Sequence, residues 1–184
     1  MIDSLKTALN NAKTDTAKLR IYISMNEACN KKDKLLYAEP ALLLIDKILA
    51  KETNKQERNK LIEQEKVLLN SVGVYYRGGN TSDWDNAMKY LQSRLQAIEK
   101  TGDLKRTATF LYAMAGISID EKKDSSLFRS YMLRSLSVSK AIEDSALVVD
   151  AYNFMTAFYG SAGNYSEALK AAQSSIVYCK KLNY

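Results

Sequence analysis

Histidine is absent from this sequence. Its absence removes histidine-based nucleophilic triads, histidine-ligated zinc and a histidine phosphoacceptor in one step. Proline occurs once and glycine seven times in 184 residues, a scarcity of breakers that suits an all-helical chain. No apolar run approaches the roughly 20 residues that span a bilayer, so no direct membrane contact is expected from this segment. Met1-Ile2-Asp3-Ser4-Leu5 reads as a helix start rather than a signal peptide. The two cysteines, Cys29 and Cys179, fall near opposite ends of the chain. A bridge needs Cα atoms within about 7 Å, so two free, mostly buried thiols are expected. They neither require nor exclude an oxidising compartment.

What is present is globular. Nearly half of the residues are apolar, and the length suffices for one domain with its own core. The net charge is +6, and it is spread along the chain rather than gathered. Lys31-Lys32, Lys122-Lys123 and Lys180-Lys181 each sit near an expected turn or helix end, where lysines complement helix dipoles. A nucleic-acid binder concentrates its charge in a patch, so no nucleic-acid partner is expected.

Helical periodicity runs through nearly the whole chain. Residues 3–12 form a short amphipathic segment with Leu5, Ala8, Leu9 and Ala12 on one side, too short to stand alone and read as an N-terminal cap. Asp15 or Thr16 opens the next helix, to about Asn30, with Leu19, Tyr22, Ile23, Met25, Asn26 and Cys29 on its stripe. Leu35 to Ala50 follows, but Pro40 lies inside it. Proline within a helix costs about 3 kcal/mol, so a restart near Glu39 is preferred over a kink. A long helix then runs to Arg77, and Gly78 to Asp83 is a loop. Further helices are read from Trp84, from Leu104, from Leu127, at Ala146–Tyr159 and at Tyr165–Lys181.

Three landmark series recur at one period. Gly73, Gly116 and Thr156 occupy equivalent places on first helices, Trp84, Ser125 and Tyr165 follow the turns, and Asp103, Asp144 and Tyr184 close the units, all spaced by 40 to 43 residues. Each unit is a helical hairpin that cannot bury its own apolar face, so the units must stack. In the last unit Tyr152, Met155, Tyr159, Gly163, Tyr165, Ala168 and Leu169 resemble the signature of the tetratricopeptide repeat family. Val72-Gly73, Tyr76, Trp84 and Ala87 carry the likeness in the second unit, and Gly116 in the third, where Phe128 replaces a small residue and should push the helices apart or tilt them. The resemblance implies an all-α, right-handed superhelical solenoid of about four antiparallel hairpins, in a long-helix variant. The expected divisions of this single domain are a cap at 1–14 and repeats at 15–54, 55–103, 104–144 and 145–184.

The same resemblance implies a concave groove for a protein or peptide ligand, lined by first helices. Carried over by register, its residues are Asn70, Val74 and Arg77, then Phe110, Ile117 and Asp120, then Asp150, Asn153 and Phe154. Ser71, Ala113, Glu121 and Ala157 fall beside them. An asparagine amide at 70 or 153 could bond a ligand backbone in two directions, and its plainer role is a bond to the neighbouring helix. The Lys/Asn/Arg set with which chaperone-binding relatives clamp a terminal carboxylate is absent at these places, so chaperone tails are not the expected ligand. Tyr22, Tyr75, Tyr76, Tyr152, Tyr159 and Tyr165 recur at core spacing and are read as packing residues rather than a cage, as is Trp84.

Residues 2–28 also resemble the opening of the repeat region in bacterial signalling proteins of the histidine kinase or nucleotide cyclase type. That likeness implies a sensory or scaffolding segment, extracytoplasmic in such proteins and otherwise cytoplasmic, and reads the chain as a fragment of a longer one. No enzyme and no cofactor is expected. Gly78-Gly79 lacks the following Gly-Lys-Ser/Thr of a phosphate loop, and Asp83 and Asp85 lack the glycine and terminal glutamate of a calcium loop. Glu63 and Glu65 lie on different helix faces. The alternative to ligand binding is a structural or oligomerisation module, with an end-to-end homodimer as its partner state.

Overall fold

The caps and turn residues cut the chain into helices close to the expected ones. The computed structural model describes residues 1–77, 82–119 and 125–181, leaving aside the side chains of Arg77, Ser82, Asp83, Trp84 and Ser125. These residues form nine α-helices and no strand. They are α1 (Ile2–Asn11), α2 (Asp15–Ala28), α3 (Lys34–Leu49), α4 (Lys55–Arg77), α5 (Ser82–Lys100), α6 (Leu104–Ile117), α7 (Ser125–Ala141), α8 (Ser145–Ser161) and α9 (Tyr165–Lys181), with a 3₁₀ turn at Lys31–Asp33 before α3. Two compact units result, Met1–Ser93 and Arg94–Tyr184, and the division falls within α5. The loop at 78–81, the turn after Ile119 and the packing of Trp84 lie outside the described residues.

Helix starts are set by short polar side chains. Thr14 Oγ1 accepts from the Ala17 N–H at 3.1 Å, and Asn54 Oδ1 accepts from Gln56 and Glu57 at 2.9 and 3.2 Å. Asp103, Asp144 and Asn164 do the same for α6, α8 and α9. Before each of these three stands a left-handed residue: Gly102 at φ 72°, Glu143 at φ 56° and Gly163 at φ 76°. The Asp144 N–H reaches back to Ser139 O and the Asn164 N–H to Tyr159 O, satisfying carbonyls that the helix end leaves open. Glycine adopts this conformation without strain, whereas Glu143 carries its Cβ into it.

In the first unit, α2 packs on α1 and α3, and α3 on α4. Leu19, Met25, Ala38, Ala41, Leu42, Ile45, Leu61, Ile62, Leu68, Leu69 and Val72 are buried there. Asn26 is buried among them and ties three segments together. Its Oδ1 accepts from Ser71 on α4 at 2.7 Å, and its Nδ2 donates to Lys34 O at 2.9 Å. Arg58 closes the end of α3 by donating to Leu49 O and Glu52 O, both at 2.8 Å. The restart expected at Glu39 does not occur: α3 runs unbroken through Pro40. Tyr37, Ala38, Ala41 and Leu42, on either side of the proline, are all buried, and this packing outweighs one missing N–H donor.

In the second unit, α6 packs on α7, α7 on α8, and α8 on α9. Ten of the fourteen residues of α6 are buried, including Phe110, Leu111, Met114 and Ile117. The large ring of Phe128 is fully buried. It stacks on Phe158 at 3.9 Å and meets Phe154 edge-on at 5.5 Å. Gly116 provides the seat: a Cβ added there would stand 3.1 Å from the Phe154 ring. Ser135 is buried and donates to Ala108 O at 2.8 Å across the α6–α7 contact.

Of the tyrosines read as packing residues, Tyr159 is buried and Tyr22, Tyr75, Tyr76 and Tyr152 are half-buried. Tyr165 corrects the expectation: it is 74% exposed, because it opens α9 on the side that α8 does not cover. Tyr131 is buried, as its place in the apolar pattern of the 127–142 helix requires, and Tyr37 takes a core place that periodicity did not single out. Both cysteines are free and half-buried rather than buried. Burial pushes the Cys29 thiol above its ordinary range, with Asp33 adding to the rise and Lys34 opposing it.

Candidate functional site

Register places residues 67, 70 and 74 of α4 at the same angular position as 110, 113 and 117 of α6 and 150, 153 and 157 of α8. On α4 the stripe is open. Val67 is 51% and Val74 36% exposed, with the exposed Asn70 between them, so two apolar side chains flank an amide along one line. Ser71 points elsewhere, into the bond with Asn26. Arg77 ends the helix, and its side chain is outside the described residues.

On α6 the same stripe is closed. Phe110 and Ile117, read by register as groove residues, are 1% and 0% exposed, and Ala113 between them is buried too. These residues are core: ten of the fourteen residues of α6 are buried, so the position that is open on α4 faces protein here. Asp120 lies outside the described residues.

On α8 the stripe is open and polar: Asp150, Asn153 and Ala157 are exposed. Asn153 Oδ1 accepts from Ser175 on α9 at 2.7 Å, so part of its bonding serves the neighbouring helix, as the sequence allowed. This repeats the Asn26–Ser71 bond of the first unit, and in both an asparagine on one helix holds a serine on a later one. Phe154 is half-buried and packs against Gly116, Tyr112 and Phe128, which makes it a packing residue first.

A second feature gathers at the ends of α7 and α9. Lys140 donates to the Tyr152 hydroxyl at 2.9 Å, and its ammonium lies 5.2 Å from the centre of the Tyr152 ring and 5.8 Å from that of Tyr178. Lys181 lies 4.7 Å from the Tyr178 ring centre. The hydrogen bond to Tyr152 raises the Lys140 pKa above its ordinary value, outweighing the opposing effect of burial. A recess of about 370 Å³ opens here, lined by Ser139, Lys140, Glu143, Ser145, Val148, Tyr178 and Lys181. The sequence carried a weak signal for it: Tyr178 and Lys181 are three apart on one helix, but nothing local joins them to Lys140.

The opening of α8 is held by charge. Burial pushes the Asp144 carboxyl up, but the N–H groups of Leu147 and Ala146 and the Lys105 ammonium at 3.0 Å together bring it below its ordinary value. Glu63 is exposed and paired with Lys66 at 2.8 Å, while Glu65 is buried, as a spacing of two on a helix requires. Among the described residues no group of three histidine, cysteine, aspartate or glutamate side chains could hold a metal ion. No described helix is long and apolar enough to cross a membrane. Neither a protein-family model nor a curated protein matches the chain.

Proposed function

We propose that the chain is a non-catalytic protein-interaction module of stacked helical hairpins, similar to a tetratricopeptide repeat array, with the open stripe of α4 as its main ligand face. The observation that carries this reading is the line Val67, Asn70, Val74, with two exposed apolar side chains on either side of an exposed amide. An extended peptide offers what such a line takes, namely apolar side chains at intervals and a backbone with both a donor and an acceptor for the amide. The equivalent stripe of α8 is a second, more polar face, and Asn153 reaches it with the bonding capacity that Ser175 leaves over. Selection of a displayed peptide library on the chain tests the reading. Enriched peptides whose binding falls on Val74→Asp or Asn70→Ala support it, and enrichment insensitive to both, or no enrichment, overturns it.

The resemblance of residues 2–28 supports a sensory or scaffolding role in a bacterial signalling protein, where ligand occupancy biases the stack between two arrangements. A kinase, cyclase or receiver domain encoded in the same reading frame supports that assignment, and a frame without any output domain removes it. An oligomerisation module is the second reading, favoured by Tyr165, Leu169, Ile176 and Val177, all of which are exposed on α9.

A further inference from the structure

The recess between the end of α7, the start of α8 and the end of α9 lies within one compact unit, and the proposed ligand face does not use it. Its lysines converge. The ammoniums of Lys140 and Lys181 lie 5.8 and 4.7 Å from the centre of the same ring, that of Tyr178. Tyr178 faces Tyr152 of α8, with ring centres 6.1 Å apart, so this is the covered side of α9 and not its exposed one. What holds the two charges is itself uncharged. Lys140 donates to the Tyr152 hydroxyl at 2.9 Å, and a ring face attracts an ammonium without cancelling it. Neither lysine has a carboxylate partner among the described residues, whereas Lys47, Lys66, Lys105 and Lys170 each have one. Glu143 is the single acidic residue on the lining, so two positive charges face one negative.

We propose that this recess binds the phosphate monoester of a small polyol, with the phosphate between Lys140 and Lys181. The charges match, since a monoester carries close to two negative charges at neutral pH. The donors match as well. No arginine lines the recess, and a planar carboxylate is best held by the fork of a guanidinium. An ammonium is a point charge with three donors, which suits a phosphate offering oxygens in several directions. The lining hydroxyls of Ser145 and Tyr178 add neutral donors, while Ser139 spends its own on Ser135 O at 2.8 Å. Glu143 repels a bare anion but accepts from hydroxyl groups, and a polyol supplies these beside its phosphate. A recess of about 370 Å³ is at the small end of ligand sites, which fits a molecule of this size. The site shares no residue with the α4 stripe or with Asp150, Asn153 and Ala157, so this inference and peptide binding stand or fall separately.

Calorimetric titration of the whole chain with glycerol 3-phosphate tests it. The probe should bind with a Kd below about 1 mM, inorganic phosphate more weakly, and acetate and glycerol not at all. Lys140→Gln and Lys181→Gln should each lose about tenfold, and Lys170→Gln, on α9 but outside the recess, should lose nothing. Lys181 is exposed and donates no hydrogen bond among the described residues, so its variant keeps the fold, which circular dichroism checks. The pH gives a second readout. The ionisable side chains at the recess are Lys140, Lys181, Glu143, Tyr152 and Tyr178, and the chain has no histidine. Side chains of these types ordinarily titrate outside the range from about pH 5 to 7.5, whereas a phosphate monoester loses its second proton near about pH 6. Affinity for glycerol 3-phosphate should therefore rise about tenfold across that range, while that for sulfate, a dianion throughout, stays level. No binding up to about 10 mM, acetate or inorganic phosphate binding as tightly as the probe, an equal loss in Lys170→Gln, or an affinity flat with pH overturns the proposal.

Discussion

Helices α6 and α8 begin alike and finish differently. Each starts after an aspartate whose Oδ1 accepts from the third N–H, at 3.0 Å for Asp103 and 3.1 Å for Asp144. Each aspartate follows a residue in the left-handed region. Forty residues apart in one compact unit, they present the same three positions, yet Phe110, Ala113 and Ile117 are buried while Asp150, Asn153 and Ala157 are exposed. Repeat register therefore fixes the angle at which a side chain leaves the helix. Residue type, with the packing it permits, decides whether that angle faces protein or water. α4 joins the open class with a different character, with Val67 and Val74 at the places of Asp150 and the smaller Ala157.

The sharpest way to break this comparison is to truncate both sides of it. Phe110→Ala should destabilise the chain by about 3–5 kcal/mol, whereas Asp150→Ala, at the same place on α8, should cost less than about 1 kcal/mol in urea unfolding. Equal effects would mean that the two stripes are not different.

A smaller effect is expected at the shared start. Asp144→Ala should cost about 0.5–2 kcal/mol through the lost cap. The folded Asp144 carboxyl lies below its ordinary value of 3.8, so its contribution is present above that value and is lost as pH falls through the folded pKa. Unfolding free energy measured down the acid range should therefore decline less steeply in Asp144→Asn than in the parent chain.

The smallest changes are gains. Glu143 is the one non-glycine in the left-handed region among the described residues, and the equivalent turn positions hold Gly102 and Gly163. Glu143→Gly should stabilise by about 0.5–1 kcal/mol by removing that strain. The Tyr159 hydroxyl is buried with no hydrogen-bond partner, so Tyr159→Phe should be neutral or stabilising by up to about 1 kcal/mol. Thermal melts of the two variants check both.

Helix positions were legible because capping residues mark them: Thr14, Asn54, Asp103, Asp144 and Asn164 all stand where the apolar period restarts. Pro40 was misread because the penalty for proline is local, while the burial of Ala38, Ala41 and Leu42 around it comes from other helices. The candidate face was half legible. Register pointed to Asn70 and Val74 on α4 and to Asp150 and Asn153 on α8 but not to Val67, and the same rule swept in Phe110 and Ile117, whose apolar character already argued for a covered position. The Lys140–Tyr152–Tyr178–Lys181 cluster was not legible, since it joins three helices through side chains with no common period.

The central claim is that the open stripe of α4 is a ligand face. Its most direct test is to titrate a library-selected peptide against the parent chain and Val74→Asp, with the unfolding midpoint of each measured alongside. The account predicts at least a tenfold loss of affinity, about 1.4 kcal/mol, at an unchanged midpoint. An affinity that Val74→Asp leaves intact would contradict it.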